Sequence, residues 1–157
     1  NQGQRAGASS GAALNIGYQN ISLNTILISG SFVVSNSSAD NFGAFNISNV
    51  DLTFAPTSNV QFIDNTAPIG AGLIAGINST VTIEGSFLAQ GNTATNHGGA
   101  VYIQSNGELV VADGSDVTLT GNTAANGAGV FVESGGTFSG TSEDRVTFGG
   151  SDDVFRQ

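Results

Sequence analysis

A repeat of about 28 residues constrains the fold of this chain more than any other feature of its sequence. Each unit carries a triplet of small residues followed by an alternating apolar stretch, and the successive triplets begin 31, 28, 28 and 29 residues apart. A fixed period of this size predicts stacked structural units in place of one globular core. The five copies are Gly11-Ala12-Ala13-Leu14-Asn15-Ile16, Phe42-Gly43-Ala44-Phe45-Asn46-Ile47, Gly70-Ala71-Gly72-Leu73-Ile74-Ala75, Gly98-Gly99-Ala100-Val101-Tyr102-Ile103 and Gly127-Ala128-Gly129-Val130-Phe131-Val132.

Two further apolar pairs recur with the same period. One pair precedes an Asn or Gly turn in each unit, at Asn36, Asn65, Asn92, Asn122 and Gly149-Gly150. The other pair lies between this turn pair and the triplet strand, as in Val81/Ile83 and Leu109/Val111. Apolar residues two apart are typical of a strand with one buried face, and no stretch keeps the spacing of a helix. Three short strands per unit therefore predict an all-β parallel β-helix of about five three-strand coils.

Short motifs within the repeat resemble those of known surface proteins. The elements Phe62-Ile63-Asp64-Asn65 and Gly98-Gly99-Ala100-Val101 resemble the FxxN and GGA(I/L/V) repeats of chlamydial polymorphic outer-membrane proteins. From about residue 11 to residue 148, the chain also resembles the pectin-lyase-like superfamily of right-handed parallel β-helices. This resemblance implies a right-handed coil and an extracellular role.

The repeat divides the chain into three segments. We expect an N-terminal tail or arm at 1–10, the parallel β-helix at 11–148, and a C-terminal turn or tail at 149–157. No apolar run reaches the ~18 residues that span a bilayer, so we expect no membrane insertion. The start at Asn1, without a basic and then apolar leader, is typical of a mature or excised segment.

The charge and the polar residues favour an extracellular or cell-surface protein. The formal net charge is −9, from 12 Asp and Glu, three Arg and no Lys. Such a surface repels polyanions, so nucleic acid and anionic lipid are poor partners, and we expect no nucleic-acid binding. Four Asn-x-Ser/Thr sequences are candidate N-glycosylation sites. Their acceptors are Asn20, Asn36, Asn46 and Asn78.

Catalytic and metal-binding patterns are missing from the sequence, and we predict a non-enzymatic protein without a cofactor. Lyases on this fold need a basic residue beside the substrate, and glycosidases need carboxylates that face each other. His97 is the single histidine and suits a polar turn residue better than a zinc ligand. Asp113 and Asp116 lack the GGxGxD repeat of calcium-binding β-rolls, so no metal site is predicted.

The predicted outward positions suggest a surface for assembly. The middle residue of the triplet strand should face solvent, which aligns Ile74, Tyr102 and Phe131 as an apolar stripe on neighbouring coils. A stripe of this kind suggests a covered surface, and a terminal segment of the same chain is one candidate cover. Val154 and Phe155 are candidate contacts in the C-terminal segment.

The last predicted strand, Val146-Thr147-Phe148, is the one that normally precedes a triplet strand, so the two ends of the column should be in phase. Stacked copies would then form a filament. We therefore expect a self-assembling filament or coat subunit whose partners are copies of itself.

A binding module is the alternative function. An adhesin or a carbohydrate-binding β-helix would use the flat faces of the column and take glycans as partners. Thr82, Thr118 and Thr147 are predicted to face outward, but from two different strand positions, which makes ice binding a weaker alternative. A polysaccharide lyase or hydrolase is the weakest, because the carboxylates do not recur in phase.

Overall fold

The chain folds into a parallel β-solenoid. The computed structural model describes residues 14–17, 25–140, 146–150 and 153–157. The solenoid makes about four turns and has three main sheets. The predicted all-β class is confirmed, and the architecture is consistent with a right-handed parallel β-helix. No helix in the described part of the chain is long and apolar enough to cross a membrane.

Each coil contributes one strand to each of three parallel sheets. The triplet sheet contains β1 (Leu14–Gly17), β4 (Phe45–Ser48), β8 (Leu73–Ala75), β12 (Val101–Ile103), β15 (Val130–Val132) and β18 (Val154–Arg156). The second sheet contains β2 (Thr25–Ile28), β5 (Asp51–Phe54), β9 (Thr80–Ile83), β13 (Glu108–Val111) and β16 (Thr137–Gly140). The third sheet contains β3 (Ser31–Ser35), β6 (Asn59–Ile63), β10 (Ser86–Gln90), β14 (Asp116–Thr120) and β17 (Val146–Gly149).

The core consists of vertical files of apolar side chains, because every inward position lies on its counterpart in the next coil. Aromatic rings also pack across these files: Phe45 of the triplet sheet lies between Phe32 and Phe62 of the third sheet, with ring centroids 5.2 and 6.1 Å apart, and Phe62 lies 5.6 Å from Phe87. All but Phe32 are fully buried, and Phe32 in an early coil is half-buried. Aromatic contacts of this kind stabilise the core beyond the area that they bury.

A fourth, shorter ladder joins the third sheet to the triplet sheet, which the sequence analysis did not predict. It contains β7 (Thr66–Ile69) and β11 (Thr93–His97), which pair in parallel. Isolated bridges add one segment below, near Ser38, and one above, near Thr123. One alanine from each of four coils packs inside this ladder, together with Ala71 of a triplet, in a cluster separate from the main core. The alanines of the cluster are Ala39, Ala67, Ala71, Ala94 and Ala124.

The small-residue triplet exists because the coils approach each other backbone to backbone at this corner. A Cβ added to Gly43 would lie 1.5 Å from the carbonyl oxygen of Gly70, and one added to Gly99 would lie 2.3 Å from that of Ala128. Real Cβ contacts are never this short, so only glycine fits at either position without moving the backbone. The repeat marker of the sequence therefore reports a close packing of main chains.

A buried asparagine ladder fixes the turn after the third sheet. Asn65, Asn92 and Asn122 are fully buried in successive coils. The Nδ2 atom of Asn65 donates to Oδ1 of Asn92 at 2.9 Å, and Nδ2 of Asn92 donates to Oδ1 of Asn122 at 2.9 Å. Each Nδ2 also donates to a carbonyl oxygen of the preceding coil, and each of these amides thereby meets the hydrogen-bonding requirement of burial.

The alignment of Asn36 with the ladder asparagines was wrong by one residue. Ser35 pairs with Ile63, so Asn36 lies beside Asp64, and both residues have a positive φ, of 53° each. The position in the ladder belongs to Ser37, whose backbone N–H donates to Oδ1 of Asn65 at 3.0 Å. Asn tolerates the left-handed conformation of the turn and also suits the buried ladder, so composition alone does not separate the two roles.

The last coil is shorter than the others and ends in a strand. Val146 is the counterpart of Val117, and Val154 is the counterpart of Val130. The chain advances 13 positions from Val117 to Val130 but only eight from Val146 to Val154, so five residues of the fourth ladder are missing here. The segment 149–157, predicted as a turn or tail, therefore contributes β18 to the triplet sheet.

Replacement of a central ladder amide tests its contribution to stability. Asn92→Ala removes a side chain that bonds to both neighbouring coils and leaves buried polar atoms unpaired, so we expect the free energy of unfolding to fall by about 2–4 kcal/mol. Asn96→Ala is the matched control, because Asn96 is exposed one ladder away and should change stability by less than about 0.5 kcal/mol. Urea unfolding followed by circular dichroism measures both. Equal stability of the two variants would contradict a structural role for the ladder.

Candidate functional site

The predicted apolar stripe lies outside the column core but is not exposed. Ile74, Tyr102 and Phe131 form a cluster of their own, with exposed fractions of 0%, 5% and 2%. The expectation that they form an accessible assembly surface is therefore corrected. Strand alternation turned these side chains away from the core, yet the fourth ladder of the same chain packs over them.

The cover over this stripe comes from the end of each fourth-ladder segment. Ile69 packs against the cluster, and the His97 ring lies 4.4 Å from the Phe131 ring and 6.4 Å from the Tyr102 ring. Nδ1 of His97 is 3.3 Å from Nδ2 of Asn126 in the next coil. The single histidine, predicted as a polar turn residue, is the half-buried last residue of β11.

The stripe continues to the C-terminal end of the column as a stack of parallel rings. Tyr102 lies 5.3 Å from Phe131 at an interplanar angle of 4°, and Phe131 lies 5.3 Å from Phe155 at 11°. Phe155 ends the stack with 39% of its surface exposed. Val154 points the other way and packs against the main core, so of the two predicted C-terminal contacts Phe155 is the more accessible.

A hydrogen-bonded pair closes the outer side of the ring stack. The Tyr102 hydroxyl donates to Oε1 of Glu133, and Oε2 of Glu133 accepts the backbone N–H of Ser105 at 2.8 Å. Burial raises the pKa of Tyr102 well above its ordinary value, and the hydrogen bond to Glu133 and the negative charge of Glu133 raise it further. Tyr102 therefore stays protonated and holds the coil of residues 101–106 to the next one.

A groove opens beside the end of the ring stack, where the last coil is shortened. Its volume is about 340 Å³. The Asp153 carboxylate forms part of the wall, and its Oδ1 accepts the backbone N–H of Ala128 at 2.9 Å. The groove thus combines the ring of Phe155, the carboxylate of Asp153, the side-chain amide of Asn126 and the backbone edge of residues 124–127. Its lining residues are Thr123, Ala124, Ala125, Asn126, Gly127, Ala128, Asp153 and Phe155.

Apart from Phe155, the groove residues were not among the predicted site residues. The sequence does carry a signal for them, because a Ser/Thr-Ala pair recurs in phase with the triplet. The pairs are Ser38-Ala39, Thr66-Ala67, Thr93-Ala94 and Thr123-Ala124. The pair does not recur between Phe148 and Val154, which marks the place where the described ladder stops.

Several described carboxylates join neighbouring coils. Besides Glu133 and Asp153, Asp51 accepts the backbone N–H of Thr80 at 3.0 Å and Glu108 accepts the Ser139 hydroxyl at 2.6 Å. No group of three or more His, Asp or Glu side chains within the described ranges could hold a metal ion. Asp51 and Glu108 occupy the same position of the second sheet, two coils apart, whereas Glu133 and Asp153 lie at other positions of the coil. Each of the four holds one coil to the next.

The candidate glycosylation sites differ in accessibility. Asn36 and Asn78 are exposed turn residues with positive φ. Asn46 lies below Ile74 in the outward file, is only 9% exposed, and has an Oδ1 atom without a hydrogen-bond partner. The prediction for Asn46 is therefore corrected, because a glycan does not fit at a buried amide. Asn20 lies outside the described residues.

The raised pKa of Tyr102 predicts a late titration and a loss of stability at high pH. A group whose pKa is raised by folding stabilises the fold below its unfolded pKa, which is about 10 for tyrosine, and loses this contribution as pH rises above it. In a Tyr18→Phe background, Tyr102 is the only remaining tyrosine and the chain has no tryptophan. We expect the absorbance at 295 nm to rise only well above pH 10, together with unfolding.

Glu133→Gln is the matched variant for this titration. It removes the charge but keeps a side-chain oxygen as an acceptor, so the pKa of Tyr102 should fall toward 10 while remaining raised by burial. A titration midpoint at pH 10 in the parent protein would show that Tyr102 is solvated in solution.

The accessibility of the acceptors predicts which of them carry glycans. After secretion from a eukaryotic host, we expect the folded protein to carry glycans at Asn36 and Asn78 and none at Asn46. Mass spectrometry of the glycopeptides measures the occupancy, and Asn46→Gln should leave the pattern unchanged. A glycan on Asn46 in soluble, folded protein would contradict the burial of this side chain.

No protein-family model, curated protein or solved structure matches this chain. The parallel β-solenoid is therefore established by the coordinates alone.

Proposed function

We propose that the chain is a non-enzymatic extracellular structural protein, a subunit of a filament or coat whose copies contact each other through the N-terminal coil of the described column. The observation that carries the proposal is the uneven burial of the apolar files. Inward residues are fully buried in the middle coils, whereas Ile26, Ile28, Phe32 and Val34 are only half-buried. Partly uncovered core files favour contact with further apolar surface.

The unpaired strand edges of the N-terminal coil also favour this coil as the contact surface between copies. Among the described strands, β2 and β3 are the last members of their sheets, and such edges pair readily with another chain. Leu27 and Val33 flank the corner between these strands and are 66% and 52% exposed, the largest exposures of any large apolar side chain described. An open edge beside apolar side chains is the combination from which proteins build interfaces between strands.

The two ends of the column are not in phase, which corrects the expectation of simple head-to-tail stacking. β18 already occupies the place in the triplet sheet that the first triplet strand of a following copy would take. Among the described strands, β16 and β17 are the last members of the second and third sheets and lie one level below β18. The N-terminal coil is therefore the better candidate for the contact between copies than a flush stack of complete columns.

The structural uses of the polar groups support a role without catalysis. The buried asparagines, the Tyr102–Glu133 pair and the carboxylates of Asp51 and Glu108 all connect one coil to the next. Side chains held in this way stabilise the column and are poorly placed to move protons on a substrate. Thr82 and Thr118 lie on different sheets, so the outward threonines form no single flat array.

A proline in the open edge tests the contact between copies. Gly30 and Val34 present their carbonyl groups to the following coil, so by strand alternation the N–H of Val33 points to the open side. Val33→Pro removes this donor without breaking a bond of the fold, and proline is tolerated on edge strands. We expect the variant to keep its melting temperature but to lose assembly in sedimentation velocity and negative-stain electron microscopy.

Val33→Thr is the control for this experiment, because it keeps the N–H and the strand preference of the residue. It should assemble, more weakly than the parent. If the parent protein forms only dispersed rods at micromolar concentration, the proposed function is wrong. If the parent assembles and Val33→Pro assembles equally well, the contact lies on another surface.

A further inference from the structure

We propose that the groove beside Phe155 binds an extended, basic peptide as a parallel β-strand that completes the fourth ladder. The site is separate from the N-terminal coil and goes beyond the proposed structural function. Its occupant is defined by three features of the described residues: an unfinished strand ladder, a floor of small side chains, and a carboxylate beside an exposed ring.

Within the described residues, the fourth ladder stops one segment early. Ser38 bridges to Thr66, Thr93 bridges to Thr123, and β7 pairs with β11 between them. The shortened last coil provides no further pairing segment among the described residues, although β17 and β18 extend the two neighbouring sheets beyond it. The groove is thus the space of one missing strand, bounded by the ends of two sheets.

The backbone of residues 124–127 presents the bonding pattern of a strand to this space. The N–H of Ala94 donates to the carbonyl of Thr123 and the N–H of Gly98 donates to that of Asn126, both toward the C-terminal end. By the same register, the N–H groups of Ala124 and Gly127 are directed into the groove. The carbonyl of Asn96 accepts from Asn126, so the carbonyl of Ala125 faces the groove in the same way. A parallel peptide strand satisfies such alternating donors and acceptors.

The floor of the groove selects for a small residue in the ligand. Ala124 ends the alanine file of the fourth ladder, and Ala128 lines the same space. Coils are stacked about 4.8 Å apart, so only Ala, Gly or Ser fits on an alanine at this distance in the file. Thr93 and Thr123 share a hydrogen bond between their hydroxyls at 3.2 Å, which favours Thr or Ser one position earlier.

The wall of the groove selects for a cation. In the coil of Ala94, the residue three positions after the alanine is His97, whose ring lies beside the ring stack, 6.4 Å from Tyr102. The corresponding ligand residue would overlie Phe155, and Asp153 lies in the same wall. An arginine at this position of the ligand suits both the Phe155 ring and the Asp153 carboxylate, because a guanidinium stacks on an aromatic face and pairs with a carboxylate. The net charge of −9 attracts such a ligand at long range.

A labelled peptide with the sequence Gly-Thr-Ala-Thr-Asn-Arg-Gly is the probe for this site. It copies the residues from Thr93 to Asn96 and places arginine at the position of His97. We expect binding in fluorescence anisotropy that weakens as salt is raised. Two control peptides replace its alanine by leucine or its arginine by glutamate. Each should bind at least tenfold more weakly, because the first does not fit the floor and the second is repelled by Asp153.

Three protein variants test whether the peptide occupies the groove. Ala124→Leu fills the floor and should abolish binding while the circular dichroism spectrum stays that of the parent. Asp153→Asn keeps an oxygen for the N–H of Ala128 but loses the charge, so we expect binding about five- to tenfold weaker, since tenfold corresponds to about 1.4 kcal/mol. Asp40→Asn removes an equal charge from an exposed position at the other end of the ladder and should bind as the parent does.

Several outcomes would overturn the proposal. They are no binding of the basic peptide at millimolar concentration, equal binding of the leucine or glutamate peptide, and full binding by Ala124→Leu. Competition by neutral oligosaccharides such as cellobiose or maltotriose, without binding of the peptide, would assign the ring and carboxylate to a sugar site instead. Because the assay needs only the single subunit, its failure leaves the test of assembly at Val33 unaffected.

Discussion

The whole molecule depends on one constraint, the stacking of each residue directly on its counterpart about 28 positions away. Parallel, in-register pairing brings identical or similar side chains together at the spacing of β-strands. Asparagine then bonds to asparagine, alanine packs on alanine, and aromatic rings stack face to face, as Tyr102 and Phe131 do at an angle of 4°. Each file stabilises the column only if its members recur in phase.

This constraint also determines which side chains remain available for binding. A residue repeated in phase is consumed by contact with its own copies, and this applies to the buried asparagines and to most of the ring stack. New chemistry is therefore expected where the period fails. The shortened last coil is such a place, and there the ring of Phe155 and the carboxylate of Asp153 meet at an unfinished strand edge.

The sequence predicted most of the main strands because they carry two apolar residues on one face, as Val81 and Ile83 do in β9. The sequence did not predict the fourth ladder, because each of its segments buries little more than one alanine, as with Ala67 and Ala94. A single small residue gives no alternation of apolar and polar positions. The burial of Ile74 was missed for a related reason. Alternation shows that a side chain leaves the core, but not whether another part of the coil covers it.

The end of the column was the hardest part to predict. Val154 and Phe155 follow the third-sheet strand sooner than any earlier triplet strand does, so a fixed period places them in a turn. Arg156 also occupies a position that is apolar in the coils below, where Val132 and Ile103 pack in the core. A departure from the repeat in both length and polarity is poorly described by a pattern derived from the regular coils.

The missing segment gives the C-terminal end the form of a step. The triplet sheet reaches one strand further than the second and third sheets, and the described part of the fourth ladder stops one segment short of β18. The sides of the column therefore end at different heights, and the described end has no rotational symmetry about the column axis. A rigid partner that follows this outline would therefore fit against the end of the column in a single rotational setting.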